Sequence, residues 1–312
     1  MSDIILHHYA SSPYAEKTRS LLGFKKLSWK SVDIPAMLPK PDVVALTGGY
    51  RKTPVLQLGR DIYCDTRLIA RVLERLQPTP PLFPTTSQAS CAAFLRFESE
   101  VFFTGIAAGI SPEGAKYFVE AMGVDQWEQF GKDRAAFFSG GTVGRPHPDF
   151  ATARFAPIMG ALDSQLAEPG HPFLLGASPS IADFAMYHGI WFVRVNPGVA
   201  HWLEPYPHLL AWADRVRAFG HGARTEFPSS AALEIARSTR EQQPFEGDYL
   251  ALPKMALGQK ITIGPTDYGV DRVEGTLVHA SSIEVAISRT DPRAGEVVVH
   301  FPRTDYKILP AD

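Results

Sequence analysis

Ser11-Ser12-Pro13-Tyr14-Ala15-Glu16-Lys17-Thr18-Arg19 follows the apolar run Ile4 to His8 and opens a stripe of Tyr14, Thr18, Leu21 and Leu22 at helical spacing. The run reads as a buried strand and the stripe as a helix that stops at Gly23. Ser12 suits an N-cap and Pro13 the first helical position. A second reading of the same residues is chemical. A helix N-terminus presents unpaired N–H groups and a partial positive charge, so it favours a thiolate or another anion. A free thiol has a pKa of about 8.5, and lowering it by two units takes roughly 2.7 kcal/mol of preference for the charged form. A hydroxyl donor beside a helix terminus is a reasonable source of that preference.

Outward from this stretch the two secondary-structure periods alternate. Trp29 to Ile34 reads as a strand, and Pro39 to Leu46 as a short helix ended by Gly48-Gly49. Val55 to Leu58 and Asp61 to Cys64 flank the two-residue turn Gly59-Arg60, and Leu68, Ile69, Val72, Leu73 and Leu76 stripe a closing helix. The order β-α-β-α-β-β-α describes a small α/β sandwich. His7 and His8 are neighbours in a strand, so they point to opposite faces. Thr53-Pro54 precedes the third strand. A cis bond there would present the threonine backbone to an extended peptide; an edge-strand proline is the plainer alternative. Asp65-Thr66 opens the closing helix, with Asp65 either a cap or a partner for an ammonium group.

Residues 77–84 carry four prolines and cannot be helical, which makes them a linker. Beyond it the helical period runs to about residue 238, with Cys91, Phe94, Leu95, Val101 and Phe102 opening a long helix. Gly140-Gly141 and Pro146 to Pro148 interrupt it, and Ser180 with Asp183 forms a capping box. Residues 244–312 change character again. Lys260 to Ile263, Val273 to Val278, Ile283 to Ser288, Glu296 to Phe301 and Tyr306 to Leu309 are short β-rich runs separated by turns. Five such runs suggest a small all-β barrel, an SH3-like one among the options. The chain therefore divides into 1–77 (α/β), 85–238 (helical) and 244–312 (β-rich).

The 312 residues suffice for two or three cores, and 45% hydrophobic with 21% charged residues is ordinary for a globular protein. A net charge of −2 supplies no field for a nucleic-acid backbone or an anionic membrane surface. No apolar run approaches the roughly 20 residues of a membrane helix. Met1-Ser2-Asp3 opens no basic-then-apolar leader. Cys64 and Cys91 make neither a disulfide framework nor zinc-ligand spacing, and the histidines form no metal motif. A reducing cytosol and no metal are the expectation.

The segment Ser12 to Arg19 resembles the active-site segment of omega-type glutathione transferases, with serine where those have a catalytic cysteine. It is also similar to the serine-containing segment of the zeta and theta types. The resemblance covers about residues 3–235, and it implies a thioredoxin-like glutathione-binding domain followed by a helical-bundle domain. Thr53-Pro54 matches the family's cis-proline position, which pairs with the cysteinyl backbone of glutathione. Asp65-Thr66 matches the acidic-plus-hydroxyl pair that holds the γ-glutamyl group. Lys40 and Lys52 are candidates for the glycine carboxylate. Serine at the nucleophile position argues against glutaredoxin-like reduction, because a hydroxyl forms no mixed disulfide. The implied activity is thiolate stabilisation by Ser12, with Ser11 and Tyr9 as rivals, and attack on a small hydrophobic electrophile. Phe102, Phe103 and Ile106 are candidates for the electrophile's pocket or for core packing. Two further possibilities stay open: a glutathione-transferase-like binding or regulatory module without turnover, and a glutathione-dependent isomerase or ether lyase. The family further implies a cytoplasmic homodimer, paired through the α/β domain of one chain and the helical domain of the other. The β-rich extension after residue 240 is foreign to its two-domain form.

Overall fold

The computed structural model describes residues 3–144 and 147–311. Met1, Ser2, Arg145, Pro146 and Asp312 lie outside the described residues, and the helix interruption expected at Pro146 lies there with them.

β1 (Ile4–His8) is buried along its whole length and its side chains alternate between two cores. Ile4 and Leu6 pack with α1 (Pro13–Phe24) and α3 (Thr66–Leu76), while Ile5 packs with α2 (Pro41–Thr47) on the opposite face. β2 (Ser28–Asp33) runs parallel to β1, β3 (Val55–Leu58) antiparallel to it, and β4 (Asp61–Cys64) antiparallel to β3. This is the thioredoxin-like unit read from the sequence. His7 and His8 part as expected. His7 pairs with Gln57 at 2.8 Å on the α2 face, and His8 with Ser31 at 2.9 Å on the other. The Thr53–Pro54 bond is cis.

The helical bundle comprises α4 (Gln88–Gly109), α5 (Pro112–Met122), α6 (Val124–Phe137), α7 (Pro148–Leu166), α8 (Ile181–Arg194) and α9 (Pro207–Arg217). α8 begins with the capping box, whose Ser180 and Asp183 satisfy each other's backbone. Asp183 is wholly buried, and its Oδ1 also accepts from the Leu174 amide at 2.9 Å and the Trp212 indole at 2.8 Å. α4 crosses α8 at backbone contact: a Cβ on Gly105 would lie 2.5 Å from the Gly189 carbonyl oxygen.

Two features depart from the sequence reading. β5 (Ala223–Glu226), within a stretch read as helical, pairs parallel with β2. All four of its residues are exposed, so no apolar alternation marks it; the free edge of β2 makes it a strand. α10 (Ser229–Ser238) follows, its Ala232, Leu233 and Ala236 buried in the core on the α2 face. The second departure concerns the C-terminal region. β6 (Lys260–Pro265), β7 (Val273–Ala280), β8 (Glu284–Asp291), β9 (Gly295–Pro302) and β10 (Tyr306–Pro310) are the five expected strands. They do not close into a small barrel. β9 pairs parallel with β4, Asp61 opposite Val298 and Tyr63 opposite His300. The ten strands among the described residues thus form one sheet, ordered β10-β6-β7-β8-β9-β4-β3-β1-β2-β5. Each open edge of the thioredoxin-like sheet finds a partner strand in the chain itself, so β9 spends its second ladder on β4 rather than on β10.

The β4–β9 seam carries a buried ionic cluster. His300 stacks on Tyr63 at 4.3 Å and faces Asp61 through Nε2 at 3.0 Å and Glu284 through Nδ1 at 3.1 Å. All three side chains are fully buried. Two carboxylates need two N–H donors, so the ring is an imidazolium. Burial works against that charge, but the two carboxylates outweigh it and raise the His300 pKa. The remaining carboxylate oxygens accept from the Gln243 amide at 3.0 Å and the Glu246 amide at 2.7 Å, which pins the segment entering the C-terminal region.

The folded-state pKa of His300 lies above the unfolded value, so its contribution is full below about pH 6.5 and fades as pH rises through the folded value. His300→Gln should cost about 3–5 kcal/mol at pH 6, as expected for stranding buried charges. The gap between wild type and variant should shrink as pH is raised above about 6.5. Denaturant titrations across that range check this, and a gap independent of pH would refute the charged state.

Candidate active site

The loop after β1 delivers Ser12 to the N-terminus of α1. Ser12 is buried, and its Oγ accepts from the Ala15 amide at 3.2 Å, so the capping role read from the sequence is real. The hydroxyl hydrogen stays available, because only a lone pair is used in that bond. The Tyr9 carbonyl accepts from the Ser12 amide at 3.2 Å, and burial raises the pKa of the Tyr9 phenol. Ser11 is exposed at the rim.

Around Ser12 opens a cleft of about 1050 Å³, and all seven residues singled out from sequence line it: Ser12, Lys40, Lys52, Thr53, Pro54, Asp65 and Thr66. Asp65 caps α3 through Arg67 at 2.9 Å, in a left-handed backbone conformation with φ +75°. A non-glycine residue held there costs on the order of 1–3 kcal/mol. Its second carboxylate oxygen accepts from the Tyr306 hydroxyl at 3.3 Å. Thr66 is buried and accepts from Lys17 at 3.2 Å.

The two lysines differ. Lys52 is already paired with Asp267 at 2.6 Å, with its ammonium 4.2 Å from the centre of the Tyr268 ring. Lys40 is buried and its Nζ donates to the Thr53 hydroxyl at 3.1 Å. Burial first, then the nearby Arg134 and Arg51 charges, lower its pKa to about 8, although Asp133 opposes them. A desolvated cation among cations is a place where an incoming carboxylate is welcome.

Beneath the site runs a buried polar chain that the sequence reading missed. Lys17 on α1 is fully buried and meets Glu98 of α4 at 2.6 Å, and Glu98 meets His188 of α8 at 2.9 Å. Burial opposes the Glu98 charge, but Lys17 and then His188 bring its pKa down to about 2. Lys17 lies three residues after Tyr14, and Glu98 three after Leu95 and four before Phe102. Each is a charge on an apolar helical face, which was a legible signal. The far end of the cleft is aromatic. Phe102, Phe103 and Ile106 all line it, with Phe118 and Trp127 stacked 5.4 Å apart at 1°. Neither buried cysteine reaches it. The C-terminal region adds Thr266, Asp267, Tyr268 and Asp305 to its wall. No sequence signal linked these to a site some 200 residues away.

Residues 6–81 match the model of the glutathione S-transferase N-terminal domain, and residues 149–215 that of its C-terminal domain. A GST-like protein from Pseudomonas syringae is 38% identical over all of both chains, with a TM-score of 0.81. The chain belongs to the glutathione transferase superfamily. A glutathione S-transferase from Methylobacillus flagellatus with glutathione bound is 19% identical and covers 70% of this chain and 99% of its own, with a TM-score of 0.51. The beta-etherase LigF from Sphingobium is 17% identical over 70% of this chain and 96% of its own, also at 0.51. These two share the fold. The full-length match of the Pseudomonas protein includes the region of the C-terminal strands. Among curated proteins, none matches the sequence significantly.

Glu98→Leu should destabilise the protein by about 3–5 kcal/mol, because Lys17 is left buried without its counter-charge. Lys17→Met combined with Glu98→Leu should recover most of that loss. Urea titrations of the two single variants and the double variant measure it, and additive costs would show that the pair does not act as a unit.

Proposed function

We propose that the protein is a glutathione transferase of serine type: it binds glutathione in the cleft, holds its thiolate at Ser12 and directs it at an aromatic electrophile seated in the helical half. The observation that supports this most is the convergence of the seven residues on one cleft, with Ser12 at a helix N-terminus. In this reading the cysteinyl backbone pairs beside Thr53-Pro54 and the γ-glutamyl group meets Asp65 and Thr66. The glycine carboxylate meets Lys40, since Lys52 already has Asp267 as its counter-ion. Family membership supports glutathione as the ligand, and the Methylobacillus protein carries it in the same fold.

The chemistry then needs little from the protein beyond placement. The Ser12 hydroxyl and the first amides of α1 converge on the sulfur and favour the thiolate. The thiolate attacks the electrophilic carbon, a C–S bond forms, and the leaving group departs with the bonding electron pair. With a halide as leaving group the product is a conjugate; with an aryl oxide the same attack cleaves an ether, as the name of LigF describes. Tyr9 stands beside Ser12 in this scheme, but burial raises its pKa and leaves the phenol a poorer acid than its ordinary value. The proposal includes an intracellular homodimer. No helix among the described residues is long and apolar enough to cross a membrane. A partner chain must use a surface other than the edge of β4, which β9 occupies.

Ser12→Ala should raise the thiol pKa of bound glutathione and lower turnover by about 10²–10³, the loss typical of one such donor, with glutathione affinity nearly intact. Tyr9→Phe should have a smaller effect of the same sign. Ultraviolet titration of the bound thiolate reads both. A shift confined to Tyr9→Phe would move the role to Tyr9. Bound glutathione without turnover of any electrophile in a broad panel would favour the regulatory alternative.

A further inference from the structure

The loop between β6 and β7 is seated against the end of α6 by backbone hydrogen bonds. Thr142 donates to the Thr266 carbonyl at 2.9 Å, Val143 to the Asp267 carbonyl at 3.0 Å, and Gly269 to the Phe137 carbonyl at 2.7 Å. The approach is close enough that a Cβ on Gly141 would lie 1.8 Å from the Asp267 carbonyl oxygen. From the other side, the Thr266 amide and hydroxyl both donate to the Asp305 carbonyl, at 3.0 and 3.1 Å. The residue this frame presents is Tyr268.

Tyr268 stands where the polar and aromatic halves of the cleft meet. Its ring lies 4.9 Å from Phe138 and 5.7 Å from Phe103 on the aromatic side, and 4.2 Å from the Lys52 ammonium on the polar side. Its hydroxyl lies near that of Tyr14, two residues after Ser12. Tyr14 in turn packs on Phe102 at 4.6 Å and on His188 at 4.5 Å. Every one of these neighbours except His188 lines the cleft. A ring packed between phenylalanines and a cation, on a loop held by backbone hydrogen bonds, has little freedom to move aside for a substrate. It acts as a fixed wall, supplied by a region outside the family's two domains.

We propose that Tyr268 is a specificity-determining residue of the active site, setting from the C-terminal region how wide an aromatic electrophile can approach the sulfur. This rests on the glutathione transferase reading. Two variants with opposite steric effects test it. Tyr268→Leu should shift the ratio of kcat/KM for a two-ring nitrobenzofurazan halide over a one-ring dinitrophenyl halide upward by about tenfold, within the range that pocket shape commands. Tyr268→Trp should shift it downward. Glutathione affinity by calorimetry should stay within about twofold in both, because the ring carries none of the glutathione contacts proposed above. A parallel titration with the fluorescent probe anilinonaphthalenesulfonate reads the pocket without turnover, and its Kd should change in opposite directions in the two variants. Folded variants with the wild-type ratio and the wild-type probe Kd would overturn the proposal and leave Tyr268 a packing residue. Wild-type protein that fails to bind glutathione while the probe still responds to Tyr268 would instead overturn the transferase reading and uphold the wall.

Discussion

An imidazolium clamped between two carboxylates, with all three side chains fully buried, joins the C-terminal strands to the rest of the sheet. Charges in such a place are expensive to desolvate, and they persist only when each has its partner in good geometry. Asp61 comes from β4, Glu284 from β8 and His300 from β9, so the cluster forms only when two distant parts of the chain are in register. A slip of one residue would turn His300 to the opposite face of the sheet and strand both acids. The amides of Gln243 and Glu246 complete the acids' hydrogen bonds, so the connecting segment is fixed by the same condition.

That seam decides where the cleft can be. With β9 in register on β4, β10 and the 266–269 loop arrive beside α3 and α6. Tyr306 then reaches Asp65, Asp305 reaches Arg67 at 2.6 Å, and Asp267 reaches Lys52. On the opposite side the Lys17–Glu98–His188 chain ties α1 to α4 and α8. The two buried polar clusters serve the same end. One holds the helical bundle and the other the C-terminal strands against the N-terminus of α1, where the sulfur chemistry is proposed. The cleft has three walls because three regions share one sheet and one helix terminus.

The α/β half was legible because its signals are local. Period-two runs, the Gly59-Arg60 turn and the Ser12-Pro13 start each depend on neighbours a few residues away. The seven candidate residues were legible for the same reason, since they lie at strand ends and helix starts inside one short unit. What escaped was decided by free edges and distant partners. Ala223–Glu226 has no strand pattern and becomes one because β2 offers an unpaired edge. The C-terminal runs were read correctly as strands, yet nothing local says that β9 will choose β4 over β10. Asp267 and Tyr268 belong to a loop whose role exists only once that choice is made. Lys17 and Glu98 are the exceptions, since a charge on an apolar helical face is itself a local signal.

The β-rich region and the thioredoxin-like unit form one cooperative structure, joined at β4 and β9. Native-state hydrogen exchange with mass spectrometry, followed on peptides spanning residues 61–64 and 295–302, tests it directly. Both peptides should exchange with the same opening free energy and respond together to denaturant. Faster exchange of residues 295–302 in a separate opening that leaves 61–64 protected would contradict it.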